Sequence, residues 1–271
     1  MKDFTLTTYR QLLMALKDAG YIFLTFEEWC DTKPQNRFVI LRHDVDLKAQ
    51  HSLATAQIEA ELGIQATYYF RVVPQSNQPE IILSIAELGH EIGYHYEDLS
   101  LFKGNAEKAL EHFKHQLEYF RQFYPVRTIC MHGSPTSKYD NRDIWKSYNY
   151  RDFEIIGEPY FDILSRLSPD NKKKCEVLYF TDTARMWDGD KFNVRDKNRK
   201  QGTENNSRLS PLNSKKIHSS FDLINWISSN SAVNSLMITT HPQRWTENKK
   251  EWVTEFLLQN IKNQVKRFLI R

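Results

Sequence analysis

Four segments of this chain end an apolar run on residues able to bind a metal or move a proton. Arg37-Phe38-Val39-Ile40-Leu41 runs into Arg42-His43-Asp44-Val45-Asp46, and Gly89-His90-Glu91-Ile92-Gly93-Tyr94-His95 leads to Tyr96, Glu97 and Asp98. Thr128-Ile129-Cys130-Met131 ends at His132, and Leu236-Met237-Ile238-Thr239-Thr240 ends at His241. A buried strand that terminates in charge bears a desolvation cost unless a metal, a counter-ion or a substrate meets it. Asp44 and Asp46, one residue apart, face the same side of an extended strand, where a divalent cation relieves the repulsion between two carboxylates. Adding His95 and His132 gives a nitrogen and oxygen ligand set that suits zinc, with iron, cobalt or nickel as alternatives. In such a site one carboxylate binds the ion and the other takes a proton from water, while an imidazole across from them, His241, protonates a leaving group.

These residues are far apart in sequence, so the elements between them must bring them together. Helical periodicity from Thr8 to Ala19 stops at Gly20, and a strand or edge segment follows from Tyr21 to Phe26. After the Arg37 to Leu41 strand the pattern predicts a helix over Lys48–Leu62, a strand over Ala66–Val73, a helix over Pro79–Leu88 and the segment holding His95. A helix over Asn105–Phe123 and a strand over Val126–Met131 come next, with further strands near Phe153–Ile156, Val177–Phe180 and Leu236–Thr240 and a last helix over Lys250–Phe268. Such alternation implies right-handed βαβ units and a parallel sheet or barrel, whose ligands bind at the carboxyl ends of the strands. His90 and His95, five apart, fall on opposite faces of an extended segment, so His90 is expected to be structural.

At 271 residues the chain is long enough for a large core, and 40% hydrophobic with 26% charged residues describes an ordinary globular protein. A net charge of +3 argues for no nucleic-acid partner, and no stacking or recognition-helix motif is present. No apolar stretch approaches membrane-spanning length and no secretory signal opens the chain, so a cytoplasmic location is expected. Cys30, Cys130 and Cys175 lack a CxxC spacing and read as packing residues, with Cys130 close to His132. The stretch from Asp188 to Ser219 is rich in Lys, Arg, Asn and Ser and reads as a solvated loop, or as a basic lid for an acidic substrate, within one domain spanning residues 1–271.

In order and in strand-end placement, the motifs resemble those of the carbohydrate esterase family 4 polysaccharide deacetylases, from about Phe38 to Trp245. The resemblance implies a distorted (β/α) barrel and a metal-dependent hydrolase that removes an acetyl group from an N-acetylated sugar. It makes Asp44 of His43-Asp44-Val45-Asp46 the base, Asp46 and His95 metal ligands, and His241 the acid. Two departures stand out. The family's second motif carries a further metal His where this chain has Leu99, which leaves the third ligand to His132, in the place of the third motif, or to Glu97. The Arg that orients the base in the third motif is also missing, and Arg42 or Arg185 could replace it. Thr181-Asp182-Thr183-Ala184-Arg185-Met186-Trp187 resembles the fourth motif, in which an Asp steadies the acid and an aromatic lines the pocket. Substrate-binding or orienting roles are thus expected for Arg42, His43, Tyr94, Glu97, Asp182, Arg185 and Trp187. Tyr94, Tyr96, Trp187 and Trp245 are expected to offer a sugar-stacking wall. The implied substrate is a glycan precursor of surface-polysaccharide assembly, nucleotide-linked or lipid-linked. The alternatives are an amidohydrolase acting on a non-sugar amide or ureide, and an inactive carbohydrate-binding relative.

Overall fold

The computed structural model describes residues 2–34, 36–133, 137–164, 177–187, 217–230 and 233–269. The first helix, α1 (Leu6–Asp18), starts where the Thr5 hydroxyl accepts from the Thr8 amide. It leads through β1 (Ile22–Leu24), α2 (Phe26–Thr32) and β2 (Phe38–Val45) to α3 (Ala49–Glu61). Next come β3 (Thr67–Phe70), α4 (Pro79–Glu87), β4 (Glu91–Tyr96), the short α5 (Asp98–Leu101), α6 (Ala106–Arg121) and β5 (Ile129–Met131). After the one-turn α7 (Pro159–Asp162), the described chain continues with β6 (Leu178–Thr181), α8 (Ser220–Ser229), β7 (Ser235–Thr240) and α9 (Lys249–Leu269).

Every strand pairing is parallel, in the order β5-β4-β3-β2-β7-β6. β7 runs beside Phe38–His43 of β2, so β1, which pairs with Phe38–Ile40, and β3, which pairs with Arg42–Val45, share the other edge of that strand. The sheet curls into a half-barrel with helices around it, the distorted (β/α) architecture expected from the alternation. All eight residues of β2 are buried, which places the Arg42-to-Asp44 stretch inside the molecule with both faces covered.

Alternation along each strand sorts side chains between the barrel interior and the helices outside. On β4 the interior residues are Glu91, Gly93 and His95, while Tyr94 turns outward against Phe113 and Phe120 of α6. Gly93 lies opposite Tyr69 of β3, and a Cβ there would overlap the Tyr69 ring. The absent side chain lets Tyr69 lie across the interior below His95, with its hydroxyl 3.0 Å from that of Thr128.

Three elements differ from the sequence expectation. Phe153–Ile156 is not a strand: Tyr150–Phe153 is a tight helical turn capped by the Asn149 side chain, and Glu154 has φ +61°, which breaks extension. α2 and α8 occupy stretches where no helix was predicted. Both start with a reciprocal capping box, Thr25 with Glu28 and Ser219 with Asp222, a signal legible in the sequence. The polar loop expected from Asp188 to Ser219, and Cys175, lie outside the described residues except for the last few positions of the loop.

Candidate active site

Arg42, Asp44 and Asp46 leave the end of β2 on its interior side. Arg42 Nε and Nη2 donate to the two oxygens of Asp44 at 2.8 and 2.7 Å. Burial opposes ionisation of Asp44, but the Arg42 guanidinium outweighs it and holds the carboxyl well below the usual carboxylate range. Asp46 follows with the opposite kind of surroundings. Gln243 reaches its Oδ2 at 3.3 Å, while its Oδ1 is buried with no hydrogen-bond partner.

Two imidazoles converge on that orphaned oxygen. His95 Nε2 stands 3.7 Å and His132 Nε2 3.5 Å from Asp46 Oδ1. Each ring is fixed through its other nitrogen. His95 Nδ1 donates to the Cys130 carbonyl at 2.9 Å, and burial pushes its pKa down to about 4, which keeps the ring neutral with the Nε2 lone pair facing the carboxylates. His132 Nδ1 donates to Glu97 Oε2 at 2.9 Å, and Arg71 in turn donates to both Glu97 oxygens at 2.9 Å. A buried carboxylate oxygen without a donor, facing two imidazole nitrogens whose far sides are tied back, could hold a divalent cation. Asp44, His95 and Cys130 also place one ligand atom each within 4.8 Å of one another. In that group both Asp44 oxygens already accept from Arg42, and Asp46, His95 and His132 are a second set that could hold an ion. Glu97 orients His132 through its hydrogen bond.

On the other side of Asp46, His241 follows β7. Its Nε2 lies 3.9 Å from Asp46 Oδ2 and its Nδ1 donates to Asp182 Oδ1 at 2.6 Å. Asp182, at the end of β6, also accepts from the His241 backbone amide at 3.0 Å, Arg244 Nη1 at 2.6 Å and Trp245 Nε1 at 2.9 Å. Burial works against its charge, yet Arg244 and His241 lower its pKa to about 2. It therefore stays ionised and fixes the tautomer and tilt of His241.

Four expected positions lie elsewhere. His43 has the opposite parity to Arg42 and Asp44 and points away from the site, its Nε2 2.8 Å from Glu59 Oε1 and its Nδ1 2.7 Å from the Thr240 hydroxyl. Tyr94 is buried beneath α6, where its hydroxyl donates to Asp98. Arg185 has φ +58° and its guanidinium lies over the rings of Phe4 and Trp252 at 4.9 and 5.0 Å, so Arg42 alone takes the place beside Asp44. Trp187 is buried with its indole donating to Ser220 at 3.0 Å. Tyr96 and Trp245 are buried as well, so none of the four aromatics offers an open stacking face. His90 is structural, its ring nitrogens 3.1 Å from the Ala66 amide and 3.0 Å from the Ala56 carbonyl. Sequence reasoning did not reach Arg71, Gln243 and Arg244. Their signal is position: Arg71 follows the end of β3 as His95 ends β4, and the other two follow His241 within one turn.

No protein-family model and no curated protein matches this chain. Among solved structures, a CE4 family pseudoenzyme from Bacillus anthracis is similar over 85% of this chain and 62% of that one, at 11% identity and a TM-score of 0.42. The chain thus spans less than two thirds of that protein's length, and the functional reading below stands on this chain's own residues.

Proposed function

We propose that this protein is a metal-dependent hydrolase that cleaves an N-acetyl amide, with an N-acetylated sugar as substrate. One observation carries the reading: the ends of β2, β4, β5 and β7 bring an ionised carboxylate, a partnerless buried carboxylate oxygen facing two imidazoles, and a carboxylate-backed imidazole into one site. Asp46, His95 and His132 would hold a divalent cation, zinc in the first instance, which would supply polarisation of a carbonyl oxygen and a lower pKa for water. Asp44, fixed and kept ionised by Arg42, accepts a proton from the attacking water. Arg42 fixes its orientation at the expense of basicity. His241 delivers a proton to the departing amine nitrogen, and Asp182 stabilises the charged ring it needs to do so.

The sugar rests on the order of the motifs. A second reading, a non-sugar amide or ureide as substrate, is favoured by the burial of all four aromatics expected to line the pocket. The test is elemental analysis of zinc-reconstituted protein together with acetate release from N-acetylhexosamine conjugates and from simple N-acetyl amides. Near-stoichiometric metal is expected in wild type and loss in Asp46→Ala, His95→Ala and His132→Ala. Asp44→Asn is expected to keep the metal and to lose about a hundredfold or more in acetate release. Wild type that holds no metal overturns the reading, and turnover of the simple amides alone moves the substrate to the second one.

A further inference from the structure

Helix α9 turns an apolar stripe away from its own protein. At 3.6 residues per turn, Val253, Leu257, Ile261 and Val265 form one stripe with Leu258 beside it. These five side chains are 46%, 55%, 60%, 50% and 47% exposed, in that order. The face turned inward is mixed: Trp252 and Phe256 lie under the Arg185 guanidinium, and the positions beyond them are polar. Gln259 and Asn263 are each only 6% exposed, Gln259 Nε2 donates to Asn263 Oδ1 at 2.7 Å, and Asn263 Nδ2 donates to the Ala184 carbonyl at 3.2 Å. A surface helix ordinarily buries its apolar stripe, and an apolar patch left outside marks a surface that associates.

We propose that α9 packs against α9 of a second copy of this chain, antiparallel, about a two-fold axis near Gln259. The stripe reads nearly the same in both directions: Val253 of one copy meets Val265 of the other and Leu257 meets Ile261, the self-complementarity that a two-fold contact requires. Charge follows the same symmetry. On the Leu258 side of the stripe, Glu251 and Glu255 lie in the first half of the helix and Lys262 in the second, so antiparallel pairing sets each Lys262 toward the acids of the other copy. Glu251 also contacts His51 within its own chain at 2.9 Å, and its side chain remains 42% exposed. Other occupants fit less well. Lys249, Lys250, Lys262, Lys266 and Arg267 outnumber Glu251 and Glu255, an excess that an anionic membrane would also attract, but both acids lie in the first half of the helix and three of the five bases in the second, an order that an antiparallel copy complements and a membrane does not use. The 188–216 stretch of this chain is too polar in sequence to cover an apolar stripe.

The test is sedimentation velocity of the full chain over a range of concentrations, with anionic phosphatidylglycerol vesicles as a separate arm. Wild type is expected at twice the 32.2 kDa chain mass. Leu257→Glu is expected to raise the dissociation constant about thirtyfold or more, as loss of a central anchor does. Lys262→Glu is expected to raise it about fivefold and to flatten its salt dependence. Far-UV circular dichroism of each variant checks folding, and Ile261→Lys replaces Leu257→Glu if that variant misfolds. A monomer at every attainable concentration overturns the proposal, as does a dimer indifferent to both stripe variants. Vesicle binding by a monomer, lost in Leu257→Glu, overturns it in favour of a membrane surface.

Discussion

The Asp182 carboxylate accepts four hydrogen bonds, two from His241 and one each from Arg244 and Trp245, and its pKa lies at about 2 because Arg244 and His241 outweigh its burial. The folded value lies below the unfolded one, so the stabilisation is fully present above about pH 4 and is lost as the pH falls toward 2. Asp182→Asn is expected to cost about 2 kcal/mol at pH 7 and progressively less as the pH falls below about 4, read from urea midpoints across that range. In the proposed reaction the same variant is expected to lower kcat about a hundredfold with little change in KM, because the His241 tautomer is no longer fixed. A stability loss that stays constant with pH, or an unchanged kcat, would show that Asp182 only packs. At this scale the sequence was legible where strand ends carry isolated chemistry, as at Asp44, Asp46, His95 and His241. It was not legible where a role depends on which neighbour lies alongside: Glu97 is held by Arg71, just past the end of β3, a pairing that no spacing within the His95 segment encodes.

Strand parity decides which residues of each motif reach the site. Adjacent positions on an extended strand point to opposite faces, so Arg42, Asp44 and His95 face the interior while His43 and Tyr94 face the helices. Sequence proximity favoured His43 and Tyr94, and period two excludes them. The outward face has its own polar network. Glu59 of α3 accepts from the Tyr68 hydroxyl at 2.7 Å and from Tyr9 of α1, and contacts His43, which reaches Thr240 at the end of β7. All these side chains are buried, so the network ties α1 and α3 to β2, β3 and β7. Glu59→Leu removes the buried carboxylate that His43, Tyr9 and Tyr68 share and is expected to cost about 3 kcal/mol or more in urea unfolding. The double variant His43→Leu with Glu59→Leu is expected to lose less than the sum of the single losses. Strict additivity of the two would mean that the pair is not coupled and that the network does not act as a unit.

The architecture followed from alternation because each βαβ unit announces itself locally through an apolar run, a helical period and a Gly or Pro stop. What alternation could not supply is the way separate strand ends close on one another. Asp46 follows β2, His95 ends β4 and His132 follows β5, so an ion held by these three side chains links three strands of one sheet at their carboxyl edge. Before binding, that edge holds a buried carboxylate oxygen with no donor, an uncompensated cost within the folded state. An ion that binds the folded chain and not the unfolded one adds about 2.7 kcal/mol at a free concentration one hundred times its dissociation constant. For a chain of this size that corresponds to a rise in Tm of roughly 5 to 10 °C. Zinc added to chelator-treated wild type is therefore expected to raise Tm by that amount and to leave His132→Ala and Asp46→Ala unmoved. Glu97→Ala, which frees the His132 ring without removing it, is expected to fall between, with metal affinity reduced about tenfold or more. If wild type and His132→Ala respond alike, the ion sits on another set of groups, and the link between β2, β4 and β5 is not what stabilises this edge of the sheet.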